Sequence, residues 1–256
     1  MAGLAGLLTE ACIELDVRVS TWQDAVRAAG ALLERADIAD PAYTQSMIDN
    51  VETNGPYIVV APGFAFAHAR PSPAVHRTGM SWVRLSEPIP FGHSTNDPVS
   101  LVVALAATDN GTHATAMAEL AKVVGNPDKR SALDAAAGPA EVLTALAVSA
   151  VRPPAAAKSP RTANLILTVC GNGLGTSLFL KNTLEQVLGT WGWGPFISVE
   201  ATDTVSAKGR AKEADLILTS GEIAKTLGDV GIPVKVIENF TSTDEVDAAL
   251  RDSYEV

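Results

Sequence analysis

Residues 150 to 162 read AVRPPAAAKSPRT, a stretch in which hydrophobic periodicity stops and proline, alanine and basic residues take over. Such a segment supplies neither a strand nor an amphipathic helix, so a single core cannot run continuously through it. It predicts an interdomain linker, which as an extended polyproline helix at about 3.1 Å per residue would reach roughly 40 Å. The chain is thereby divided into a domain over 1–149, the linker over 150–162 and a smaller domain over 163–256.

Both parts are α/β. In the first, Thr21 with Asp24 and Asp40 with Pro41 mark helix starts. The runs YIVVA at 57–61, SWVRL at 81–85 and SLVVALAA at 100–107 predict strands. Helices are expected over 112–124, 127–137 and 139–148, the first two stopped by Gly125 and Gly138. The second part alternates more regularly. Strands at 164–169, 196–200, 215–218 and 233–237 alternate with helices at 177–188, 204–213, 220–227 and 243–251. That order implies parallel pairing through right-handed crossovers, with ligands at the carboxyl ends of the strands.

The formal net charge of −10 argues against nucleic acid or an anionic membrane surface as the main partner, since both demand a basic footprint. Two cysteines cannot build a disulfide scaffold, and the opening MAGLAGLLTEACIELD lacks the basic start of a signal peptide. A cytoplasmic protein is expected.

One of those cysteines, Cys170, ends a strand and opens the loop CGNGLGTS. Backbone N–H groups of Gly171, Asn172, Gly173, Leu174 and Gly175, with Thr176 and Ser177 at the start of the next helix, would form an anion cradle. A thiolate at its lip would have a lowered pKa and act as a nucleophile. The spacing G-x-G-x-G departs from the dinucleotide fingerprint, although Glu200 lies at a permissible distance. Cysteine phosphatases place an arginine six residues after the cysteine, where this chain has Thr176, so hydrolysis is disfavoured relative to transfer. Cys12 has no motif around it and reads as packed core on a helix. In the first domain, His68 follows a strand in a loop between Gly63 and Arg70, and His113 opens a helix after a second strand. His76 and His93 read as surface or structural residues.

APGFAFAHARP and IPFGHSTNDPVSLVVALAATDNGTHATAMAELAKVV together resemble enzyme IIA of the bacterial sugar phosphotransferase system, in its mannitol/fructose superfamily and nearest the ascorbate branch. VCGNGLGTSLFLKN and ADLILTSGEIA resemble enzyme IIB of the ascorbate branch. The resemblance implies a mixed sheet flanked by helices in the first domain and a Rossmann/flavodoxin-like parallel sheet in the second. It implies that His68 accepts a phosphoryl group from the phosphocarrier protein HPr, that His113 and Arg70 help hold it, and that Cys170 receives it next. The final acceptor would be a sugar, ascorbate by the resemblance, in a membrane IIC permease with which the protein associates peripherally, and no metal or cofactor is required. Ala67 stands where related domains commonly have proline, and DNVETNGPY lacks the arginine of the mannitol branch. A phosphorylation-sensing regulatory module and a cysteine phosphatase-like hydrolase are the alternatives.

Overall fold

The computed structural model describes residues 4–147, 164–170 and 176–254. The chain divides into two compact units, Met1–Ala150 and Val151–Val256. The stretch read as a linker, 150–162, lies wholly outside the described residues, and so do Gly171, Asn172, Gly173, Leu174 and Gly175.

In the first unit, strand β1 (Ile13–Val17) follows a short 3-10 turn, and helices α1 (Trp22–Arg35) and α2 (Pro41–Asn54) come next. A hairpin of β2 (Val59–Ala61) and β3 (Phe64–His68) leads to the long β4 (Gly79–Ile89) and to β5 (Val99–Ala106). Helices α3 (Asn110–Val124), α4 (Pro127–Ala135) and α5 (Pro139–Ala147) complete the unit. The sheet order is β1-β4-β5-β3-β2. It is mixed: β1 with β4 and β3 with β5 are parallel, whereas β4 with β5 and β2 with β3 are antiparallel.

The local reasons are visible in the sequence. Thr21 caps α1 by accepting from the Asp24 amide. Gly30 of α1 lies so close to Thr44 of α2 that a Cβ would fall 2.2 Å from the Thr44 hydroxyl, so only glycine permits this helix approach. Gly63 turns the β2–β3 hairpin at φ +68, with its amide on Asn96 O and its carbonyl receiving Ser100 and Leu101. Phe64, Phe66, Trp82 and Val102 are among the side chains buried around the central strands.

Two expectations are corrected here. His68 is the last residue of a strand and does not sit in a loop, because FAFAH is buried along its whole length. Cys12 is buried as expected but closes a 3-10 turn before β1, not a helix.

In the second unit, β6 (Leu165–Cys170), α6 (Ser177–Thr190), β7 (Ser198–Asp203), α7 (Thr204–Arg210), β8 (Leu216–Thr219), α8 (Gly221–Leu227), β9 (Val234–Val236) and α9 (Thr243–Tyr254) alternate. All pairings are parallel, in the order β7-β6-β8-β9. The chain leaves β6 toward one side and later returns to its other side at β8. The carboxyl end of β6 is therefore the topological switch point, where open α/β sheets place their ligands. Cys170 occupies that end.

Candidate functional site

The first unit brings His68 and His113 together. β3 and β5 run in parallel with His68 opposite Leu105, and α3 begins shortly after β5, carrying His113 in its first turn. Asp109 fixes that helix start by accepting from the Thr112 amide and hydroxyl. The ring centroids of the two histidines are 5.7 Å apart with planes at 72°.

His68 is 4% exposed. Its ring stacks on Phe66 at 5.2 Å and meets the Tyr57 ring edge-on at 5.8 Å. Nδ1 lies 2.9 Å from the Phe66 carbonyl. A carbonyl only accepts, so Nδ1 carries the proton and Nε2 keeps the lone pair. Burial lowers the His68 pKa, partly opposed by the Phe66 carbonyl, and holds the ring neutral at pH 7.

His113 is pushed down to about 4, first by burial and then by the charge of His68. Its Nδ1 is buried without a hydrogen-bond partner among the described residues. A buried ring nitrogen without a partner is costly to maintain, and in the tautomer that protonates Nδ1 a bound oxyanion would satisfy it.

Arg70 lies two residues after His68 and is exposed. His76 bonds Asp37 at 3.1 Å through Nδ1 and meets Asp40 at 3.3 Å through Nε2. His93 stays within its own loop, where Nδ1 accepts from the Thr95 and Asn96 amides.

Sequence reading missed Tyr43. From α2 its hydroxyl reaches Leu105 O at 2.7 Å and Ala69 O at 3.0 Å, and accepts from the Ala69 amide at 3.1 Å. Helical periodicity marks Tyr43 only as core, and nothing local in DPAYTQ signals a contact with strand ends far along the chain.

In the second unit, Cys170 is 3% exposed, with Sγ 3.4 Å from Ser177 Oγ and 4.0 Å from Thr202 O. Thr176 and Ser177 are buried at the start of α6 beside it. Buried threonines brace the strand end: Thr204 Oγ1 donates to Cys170 O and Thr219 Oγ1 to Val169 O, while Thr168 Oγ1 donates to Ser177 O. The lowered thiol pKa expected from the cradle is corrected. Burial pushes the Cys170 thiol up, and the hydrogen bonds from Ser177 and Thr176 only oppose that rise. Glu200, at the dinucleotide spacing, pairs with Arg210 at 2.7 Å.

Chemically, the first centre offers a neutral imidazole with a fixed tautomer, and the second a buried thiol at the amino end of α6. A neutral imidazole can attack a phosphoryl group directly, whereas the thiol must first lose its proton against the cost of burial. No helix among the described residues is long and apolar enough to cross a membrane.

Comparison with known proteins places these centres in context. Residues 6–148 match the family described as phosphoenolpyruvate-dependent sugar phosphotransferase system, EIIA 2. Residues 165–252 match the family described as PTS system, lactose/cellobiose specific IIB subunit, a description that names other sugars than the ascorbate branch expected for this half. The ascorbate-specific PTS system EIIA components of Escherichia coli K12 and Shigella sonnei are 46% identical over 101 residues, which is 40% of this chain and 66% of each relative. The chain thus spans just under two thirds of the length of those curated relatives. Among solved structures, PtxA of Streptococcus mutans, assigned as a PTS IIA, aligns at 30% identity and TM-score 0.53 over 58% of this chain and 95% of its own. The mannitol-specific cryptic phosphotransferase enzyme IIA CmtB of Escherichia coli aligns at 26% identity and TM-score 0.53, over 57% of this chain and 99% of its own.

Proposed function

This chain belongs to the EIIA 2 family of the phosphoenolpyruvate-dependent sugar phosphotransferase system, and on that premise we propose that it is a two-centre phosphoryl relay for sugar uptake. The observation that carries the reading is the buried pair of His68 and His113 with the His68 tautomer fixed by Phe66. Phosphate arrives from phospho-HPr on Nε2 of His68. The N–P bond of the donor breaks as the new N–P bond forms, and the ring gains positive character that the Phe66 carbonyl stabilises through Nδ1–H. With its proton on Nδ1, His113 supplies a donor to the incoming oxyanion, and Arg70 is the nearby cation along the chain.

The second hop moves the phosphoryl group from His68 to Cys170. The thiol gives its proton to solvent as the S–P bond forms, the N–P bond breaks, and His68 leaves as the neutral imidazole protonated on Nδ1. Ser177 and Thr176 stabilise the developing thiolate, and the loop of Gly171, Asn172, Gly173, Leu174 and Gly175 is assigned to the phosphoryl oxygens. Division into a first domain over 1–149 and a second over 163–256, joined through 150–162, makes this hop intramolecular and raises its effective concentration. A sugar hydroxyl in a membrane IIC permease is the last acceptor, and the protein works while associated with that permease. The ascorbate specificity of relatives of the first unit favours ascorbate as the sugar.

The test is incubation with labelled phospho-HPr followed by peptide mapping under conditions that preserve N–P and S–P bonds. Phosphate on His68 and Cys170 is expected. Phosphate on neither, or on His76 or His93 in their place, overturns the relay.

A further inference from the structure

The contacts of the Tyr43 hydroxyl are not needed for packing. Its ring is 1% exposed, and a phenylalanine would fill the same space. The hydroxyl instead joins the two chain segments that diverge around the histidines. The ladder between β3 and β5 closes with His68 opposite Leu105. Beyond it one chain runs to Arg70 and the other to α3.

At that parting the Ala69 amide donates to Tyr43 Oη at 3.1 Å. Oη has one proton to give, and the 2.7 Å contact to Leu105 O is shorter than the 3.0 Å contact to Ala69 O. The result is a relay from the Ala69 N–H through the hydroxyl to the Leu105 carbonyl. Burial pushes the phenol up to about 12, which keeps it a donor at any working pH.

We infer that Tyr43 is the positioning residue that holds His68 against His113, by locking the backbone leaving His68 to the strand that leads to His113. The inference rests on the reading of His68 as phosphoryl acceptor. His68 is then fixed from two sides: Nδ1 by the Phe66 carbonyl, and the following peptide by Tyr43. Fixing a nucleophile in this way is an alignment effect, felt in the rate of transfer and not in donor affinity.

The full chain carrying Tyr43→Phe tests this. Its phosphorylation rate at saturating phospho-HPr should fall about tenfold with KM unchanged. Phosphoramidate should show the same fall; its N–P bond breaks and ammonia leaves as the bond to His68 Nε2 forms. In histidine NMR titration the His113 midpoint should move up from about 4 as the pair loosens, by the part of its shift that comes from His68, burial holding the rest. p-Aminophenylalanine at position 43, which again donates and accepts, should restore both. A folded Tyr43→Phe protein with unchanged rate and unchanged His113 midpoint overturns the inference.

If that variant does not fold, amide exchange in the unaltered protein decides. Ala69 should be protected like the interior of β3, and exchange as fast as that of exposed Arg70 overturns the inference. Failure of the wild-type chain to accept phosphate from either donor would sink the relay alone, since Ala69 protection and the His113 midpoint read the positioning without phosphate.

Discussion

His113 concentrates the energetic strain of the first centre in one side chain. Its pKa lies at about 4 in the folded protein against 6.5 in an unfolded chain. The unfolded chain therefore binds protons first as pH falls, and stability is lost from about pH 6.5 down to about pH 4. The full shift corresponds to about 3 kcal/mol. His113→Gln should flatten this acid limb, read as urea unfolding at pH 7 and pH 4.5; an unchanged difference between the two pH values would show that His113 titrates normally. His68 is lowered in the same direction and adds to the slope. Cys170 behaves oppositely to the expectation from its loop: burial raises its pKa, and Ser177 works against burial. Ser177→Ala should move the thiol pKa further up and slow alkylation at pH 8, as followed by peptide mass. Faster alkylation would mean that the serine shields the sulfur more than it stabilises the thiolate.

Among the elements, helix ends marked by a cap, a proline or a glycine are legible in the sequence, as are apolar runs rich in β-branched residues. Thr21, Asp40 with Pro41, and Gly125 mark helix ends that the structure retains. The edge strand β1 went unread because IELDV carries two acids and holds Asp16 at φ 60, so its pattern looks like a loop. β3 went unread for the opposite reason: it lies between β2 and β5, is buried throughout, and shows no alternation. The hairpin that delivers His68 depends on Gly63. Gly63→Ala should cost about 1 kcal/mol or more, since φ +68 disfavours a Cβ and the new atom would sit 3.2 Å from Ser100 Oγ. A melting temperature equal to wild type would show that the turn relaxes freely. The segment after His68 is pinned to the α1–α2 corner through His76, whose pKa is raised by Asp37 and Asp40. Its folded pKa exceeds 6.5, so its contribution is complete below that value and disappears as pH rises through the folded pKa. His76→Gln should remove this alkaline-side loss, measured by urea unfolding between pH 6 and pH 8.

For the whole molecule, the sequence makes two α/β units and two proposed nucleophiles legible, because strand ends, glycine loops and histidines leave local marks. The pairing of His68 with His113, the Tyr43 bridge and the upward shift of Cys170 depend on strand register and burial, which no local pattern encodes. Order of transfer is the property that belongs to the whole chain, and it can be tested without cutting it. His68→Ala protein should take up no label from phospho-HPr at Cys170. Cys170→Ser protein should retain label at His68 but pass none to a sugar. Mixing the two full-length variants restores one intact centre of each kind on different molecules, so label should now appear at Cys170 of the His68→Ala chain. With both at ~10 µM against a millimolar effective concentration for linked sites, that intermolecular hop should run about a hundredfold slower than the hop in wild type. Label on Cys170 of the His68→Ala protein before mixing would place the cysteine in direct contact with HPr and refute the relay order even if both residues proved essential.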